Sequence, residues 1–201
     1  MNKIILSIET TTNICSVSLF KNKKLIYLFE DNNRKHSSLL GLFVKKIFIK
    51  SEISIQSIDA IAISIGPGSY TGLRIGLSFA KGLAFSINKP IIPINTLESL
   101  NLGINDLNYF LVLHAFKDNF FIQEYKNGKE YGDIFFNTIE SIINKKVYGY
   151  KNNLLINCIN NINPSSKKIA RIAYKNYDNY IENDIKLIKP NYIKPIEFNI
   201  K

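Results

Sequence analysis

Ile58-Asp-Ala-Ile-Ala-Ile-Ser-Ile65, followed by Gly66-Pro-Gly-Ser-Tyr-Thr-Gly72 and the apolar-rich run from Leu73 to Ile87, spells a buried strand, a glycine turn and a helix. Gly66, Gly68 and Gly72 reach backbone angles closed to other residues. Such a turn delivers free N–H groups and a helix N-terminus to one place, which suits an anion and above all a phosphate. With Ser69 and Thr71 it forms a candidate phosphate or nucleotide loop. A glycine turn feeding a helix also serves close packing, and both readings stay open.

Three familiar loop chemistries fail on spacing. A P-loop needs Lys-Ser/Thr directly after its last glycine, whereas Leu73 and Arg74 follow Gly72. The dinucleotide fingerprint needs a glycine where Thr71 stands. A hydrolase elbow needs one two residues before Ser69, where Pro67 stands.

The chain has 201 residues, 46% of them hydrophobic, enough for one compact domain or two small lobes. Met1 to Ile8 runs into Glu9 at once, too short a run for a signal peptide or membrane span, so a cytoplasmic protein is expected. Cys15 and Cys158 match no metal or redox spacing and are read as buried thiols. The net charge of +10 is compatible with nucleic-acid binding. Its lysines are scattered, however, and arginine occurs only at positions 34, 74 and 171, which fits a compositional bias better than an RNA-binding stripe.

Periodicity places strands at Lys3–Ile8, Ile14–Phe20 and Lys24–Glu30, the last two joined by a tight turn. A helix follows from about Ser37 to Lys50, with Ser37 or Ser38 as its N-cap. After the strand, glycine turn and second helix come a strand at Pro90–Ile94 and a helix opening at Thr96. Three antiparallel strands, then helix, strand, helix, strand is the order of the ribonuclease H-like lobe of the actin/Hsp70 type. The expected fold is therefore α/β, with that lobe over 1–100 and a second, reduced lobe of similar type over 101–201. In such a lobe Glu9, Thr10 and Thr11 fall just past the first strand, where phosphate and its metal would sit; a hydroxyl-rich turn bonded to its own backbone is the equal alternative.

On the second helix, Gly72, Gly76, Ala80 and Ala84 recur every four residues beside Leu73 and Leu77. This is more apolar surface than one sheet face needs. At about 25 cal/mol per Å², a few hundred Å² left in water would cost several kcal/mol. A partner is expected to cover it, together with Leu39, Leu40 and Phe43 of the first helix; the alternative is that the two helices cover each other.

Ile8-Glu9-Thr10-Thr11, Cys15 to Leu19, Arg34 to Leu40, Gly66 to Gly76 and Lys81 to Phe85 resemble the TsaB (YeaZ) family, continuously over about the first 100 residues. Ser166–Tyr177 and Lys189–Lys194 resemble its closing elements. The resemblance implies an accessory, non-catalytic subunit in tRNA threonylcarbamoyladenosine synthesis. Such a subunit needs no cofactor of its own and pairs through its two N-terminal helices with a catalytic TsaD-type paralogue. The pair then recruits a TsaE-type ATPase and meets tRNA indirectly; a homodimer through the same helices is the other state it allows, and no membrane contact is implied.

The catalytic paralogues carry two metal-binding histidines one turn apart on the first helix, whereas here His36 is followed by Leu40. Lone histidines do not make such a site, which needs three or more protein ligands. The family's usual Asp is here Glu9, moving the carboxylate by more than about 1 Å. Its Asp-Ala-Arg segment appears as His114-Ala115-Phe116. The alternative function is an actin-like ATPase or phosphotransferase holding ATP or ADP at the glycine turn, with Glu9 and Thr11 at metal and phosphate.

Overall fold

Sequence neighbours in the first hundred residues pair as their periodicity requires. The computed structural model describes residues 2–142, 144–150 and 159–193. β1 (Ile4–Glu9), β2 (Cys15–Lys21) and β3 (Lys24–Asp31) form an antiparallel meander, with Asn22 and Lys23 both at positive φ in its tight turn. β4 (Ala60–Gly66) lies parallel to β1, and β5 (Ile91–Asn95) parallel to β4, giving the order β3-β2-β1-β4-β5.

β4 is buried almost throughout because both faces of the sheet are covered. On one face lie α1 (His36–Ser51) and α2 (Tyr70–Ile87), whose Leu40, Phe43, Ile47, Leu77, Ala80 and Ala84 join Leu6, Ile8, Ile61 and Ile63 in one core. On the other, α4 (Ser166–Lys175) and α5 (Tyr177–Tyr180) bring Ile169, Ile172, Ala173 and Tyr177 against Ile5, Ala62, Ile92 and Ile94. α3 (Thr96–Asn101) is capped by Asn95, whose Oδ1 accepts from Leu97 N at 2.8 Å, and carries Glu98 in its first turn.

The second sheet holds β6 (Tyr109–His114), β7 (Asn119–Lys126), β8 (Lys129–Thr138), β9 (Val147–Tyr150) and β10 (Ile159–Asn161), in the order β10-β9-β6-β7-β8. β6 to β8 are antiparallel, while β6, β9 and β10 are parallel, so this sheet repeats the strand order and senses of the first. The protein has two ribonuclease H-like lobes. The second is reduced: one 3-10 turn, Ile139–Ile142, precedes β9 where the first lobe has α1. Asn127 and Gly128, at φ 52° and 72°, make the expected β7–β8 turn.

Three sequence expectations need correction. Residues 166–182 do not pack as part of a second lobe spanning 101–201: α4 and α5 cover the first sheet, and Glu182 exchanges backbone hydrogen bonds with Ile91. The apolar side of α4 fits the uncovered face of β1, β4 and β5, which the chain can reach only by returning. α1 begins at His36, with neither Ser37 nor Ser38 as cap and no side-chain cap bond at Lys35. His36 is instead drawn inward, and its Nε2 donates to Thr12 O at 2.9 Å. α2 begins three residues before Leu73, because Ser69 caps it by accepting from Gly72 N.

The buried Cys15 has its thiol pushed up to about 11, desolvation first and the Asp31 and Glu9 charges after it. Cys158 and Lys194 lie outside the described residues. Among the described residues no helix is long and apolar enough to cross a membrane.

Candidate functional site

Two turns meet at the C-terminal ends of β1 and β4: the Glu9–Thr12 turn and the glycine turn. They are strapped together by short backbone contacts. Ser69 N donates to Thr11 O at 2.7 Å, and the Thr10 hydroxyl donates to Gly72 O at 2.9 Å. A Cβ on Gly68 would lie 2.5 Å from Thr11 O, on Gly72 2.0 Å from Thr10 O, and on Gly76 2.2 Å from Thr10 Oγ1. Gly66, at φ +112°, would meet Asn191 O at 2.8 Å. These glycines are therefore explained by backbone approach, the packing alternative that the sequence left open. Two of the turn's N–H groups, those of Ser69 and Gly72, are already bonded within the protein.

The expected loop residues separate into two groups. Thr11, Gly68, Ser69, Thr71 and Gly72 line an interlobe cleft of about 1150 Å³. Glu9, Thr10 and Gly66 are buried and do not line it. Glu9 is fully enclosed, with Oε1 accepting from Thr11 N at 2.6 Å and from the Thr11 hydroxyl. Its Oε2 has no hydrogen-bond partner among the described residues, and neither do the buried hydroxyls of Ser7, Ser18, Ser64 and Thr96. Burial pushes the Glu9 carboxyl above the usual carboxylate range, against the lowering effect of its Thr11 bonds. A carboxyl so enclosed does not fit a role at a metal in the cleft, and among the described residues no three His, Cys, Asp or Glu side chains cluster as a metal site.

The cleft's other walls lie outside the expected phosphate loop. Arg34, His36, Tyr70 and Ile75 come from the first lobe; His114, Phe116, Lys117 and Tyr150 from the second; Asn191 and Tyr192 from the returning chain. Arg34 and His36 lie within the run that resembles the TsaB family, and His114 and Phe116 within the segment that stands for its Asp-Ala-Arg. His36 is almost fully buried, and desolvation lowers its pKa despite the bond to Thr12 O. It can thus act as a neutral imidazole, holding the hairpin turn to α1.

The expected partner row also separates. Leu40, Phe43, Leu73, Gly76, Leu77, Ala80 and Ala84 are buried under the helices, and Leu39 is half-buried. These residues are core, because α1 turns its apolar stripe onto β2 and β3 and α2 turns its small and apolar stripe onto β4 and β1. The outward side of the same helices carries other apolar side chains: Leu42 at 42% exposure, Ile49 at 65% and Phe85 at 79%.

The family model described as "TsaD: tRNA N6-adenosine threonylcarbamoyltransferase" matches residues 30–191. The TsaB threonylcarbamoyladenosine biosynthesis protein of Buchnera aphidicola from Acyrthosiphon pisum is 30% identical over 154 residues, covering 73% of this chain and 68% of that one. The chain belongs to the TsaB (YeaZ) family. The TsaB of Escherichia coli K12 is 38% identical over 99 residues, 49% of this chain and 43% of that one. With other relatives the match is similar in extent, and the chain spans about half the length of most curated TsaB proteins it matches. The structure of YeaZ from Pseudomonas aeruginosa superposes with a TM-score of 0.75 at 18% identity, over 95% of this chain and 100% of that one, which shows the shared fold.

For this TsaB-family chain the enclosed Glu9 predicts a pH dependence. Its folded-state pKa is raised, so its stabilising contribution is complete below the unfolded value of about 4.3 and declines as pH rises through the folded value. Glu9→Gln keeps the acceptor for Thr11 and does not ionise. In urea melts the variant should gain stability relative to the parent as pH rises above the unfolded carboxylate value of about 4.3, until the folded-state value is passed. A difference that stays constant with pH would show that Glu9 does not titrate in this way.

Proposed function

We propose that the protein acts in tRNA threonylcarbamoyladenosine synthesis as an accessory subunit that binds and activates a TsaD-type catalytic paralogue. The single observation that carries this reading is membership of the TsaB family, supported by a cleft in which Glu9 is withdrawn into the core and His36 is committed to Thr12. The catalytic subunit is the partner for the outward face of α1 and α2, where Leu42, Ile49 and Phe85 stand in water. At about 25 cal/mol per Å², covering these side chains favours association. A TsaE-type ATPase joins through the assembled pair, and tRNA is met through the complex, in the cytoplasm. The chain forms and breaks no bond itself and needs no cofactor for this role.

The test is reconstitution. The catalytic paralogue and the ATPase subunit, supplied with tRNA, ATP and threonylcarbamoyl adenylate, should modify adenosine 37 only when this chain is added, and the chain should co-elute with the paralogue. Full modification without it would overturn the reading. So would ATP turnover by the chain alone that disappears in Glu9→Ala, the outcome expected of an actin-like ATPase or phosphotransferase.

A further inference from the structure

α1 and α2 turn one continuous face outward. Helical spacing puts Leu42, Lys45, Lys46 and Ile49 on one stripe of α1, and Arg74, Ser78, Lys81 and Phe85 on one stripe of α2. All of these are exposed except Lys81, which is half-buried. The two helices adjoin on this side: a Cβ at Gly41 would meet Phe79 Cε2 at 3.7 Å, so the backbone of α1 rests on a ring of α2. Gly41 is exposed and Phe79 half-buried, which makes their junction part of the same surface.

That surface carries one sign of charge. Neither helix contains a single Asp or Glu. Lys45, Lys46, Arg74 and Lys81 therefore stand among the apolar side chains with no acid between them, and none of the four belongs to an ion pair among the described residues. Arg74 lies over the Tyr70 ring, 4.5 Å from its centroid, a contact that leaves its charge uncompensated. The acids flanking the helices along the chain are placed elsewhere. Asp31 ends β3, and Glu52 sits at the C-cap of α1. Asp59 pairs with Lys3 at 3.6 Å, and Glu98 accepts from the Tyr180 hydroxyl at 3.2 Å.

A two-fold contact between two copies sets the same patch against itself. Through this face it would bring four cations toward four cations, with no acid on either side to separate them. Like charges opposed across an interface suppress an otherwise favourable apolar contact, and the net charge of +10 adds repulsion at longer range. A partner whose matching apolar surface is edged with acids meets the opposite situation, since every one of the four cations then gains a counter-charge. We propose that the outward helix face selects its partner by charge: it fits an apolar helical surface rimmed with Asp and Glu, and it rejects a second copy of this chain. The partner's identity, the catalytic paralogue, rests on the accessory reading; the rejection of a second copy does not.

The experiment combines sedimentation velocity of the full chain alone with calorimetric titration of the purified catalytic paralogue. Both are run in about 0.1 M and about 1 M NaCl, where charges are felt over about 10 Å and about 3 Å respectively. At the lower salt the parent should be a monomer, and a Lys45→Gln/Lys46→Gln/Lys81→Gln variant should self-associate. Two of these side chains are exposed and the third is half-buried, so the variant should keep the parent's thermal melt. The complex with the paralogue should weaken by about tenfold or more between the two salts. In the triple variant it should be weaker at the lower salt and change less with salt. The proposal is overturned by a parent dimer at the lower salt that Leu42→Ala/Phe85→Ala dissociates. It is overturned as well by a paralogue complex equally tight in both salts and in the triple variant, a result that would leave the accessory reading standing. No complex at either salt, with the triple variant self-associating where the parent does not, would instead sink the accessory reading and sustain the rejection of a second copy.

Discussion

Gly72→Ala should destabilise the protein severely, although alanine is the better helix former. The added Cβ would fall 2.0 Å from the carbonyl oxygen of Thr10 and 3.2 Å from its carbon, and both are backbone atoms. Neither neighbour can yield cheaply. Thr10 is pinned by its own hydroxyl bond to Gly72 O, and Ser69 N holds the adjoining Thr11 O. Moving α2 away would open the core beneath Leu73 and Leu77. The expected loss is at least about 3 kcal/mol, at the upper end of overpacking and above most single substitutions. Gly82→Ala is the control on the same helix: a Cβ there meets nothing within 4 Å, so the exchange should stabilise by about 0.5–1 kcal/mol. Urea melts of the two variants should move in opposite directions. Equal midpoints would show that the hairpin turn and α2 are not locked together.

The second large effect separates folding from association on α2. Leu77→Asp puts a carboxylate into the core beside Leu6, Ile61 and Ile63, at a cost of several kcal/mol, so the isolated chain should fail to fold. Phe85→Asp changes a side chain that is 79% exposed, and its melt should match the parent's. In a complex that covers the outward helix face, the same substitution buries an unpaired charge. Affinity for the catalytic paralogue should then fall about 100-fold, in the range of a central interface residue. Calorimetry with the purified paralogue reads this directly. A Phe85→Asp chain that binds as tightly as the parent would move the contact off this face.

These two variants also show where periodicity misleads. A stripe of glycine, alanine and leucine on a helix has the same composition whether it meets the chain's own sheet or another molecule. Leu77, Ala80 and Ala84 were assigned outward because α2 has more apolar surface than one face of a sheet needs. The surplus is present, but it resides in Phe85 and in Leu42 and Ile49 of α1, the side chains opposite that stripe. The glycine turn is a similar case. Its residues were legible as special, yet an anion cradle and a backbone crossing require the same conformational freedom, and only the position of Thr10 and Thr11 decides between them.

The sequence by itself determined the elements of the first lobe and their order. Alternation in β1 to β3, the apolar run of β4 and the 3.6-residue stripes of α1 and α2 are local patterns, read within windows of a few residues. The run from Gly66 to Gly76 likewise carried the family, because a close approach tolerates few residue types at each of its positions. The tertiary structure decided what distant residues do to one another. Glu9 became a buried acid, α4 returned to the first sheet, and Arg34 and Lys117 came to line one cleft. The bonds concerned span 62 residues between Thr10 and Gly72 and 150 between Ser16 and Ser166. No local periodicity encodes such pairings. They arise because the two faces of one sheet have to be covered, and whichever apolar surface reaches them sets the environment of every ionisable group nearby.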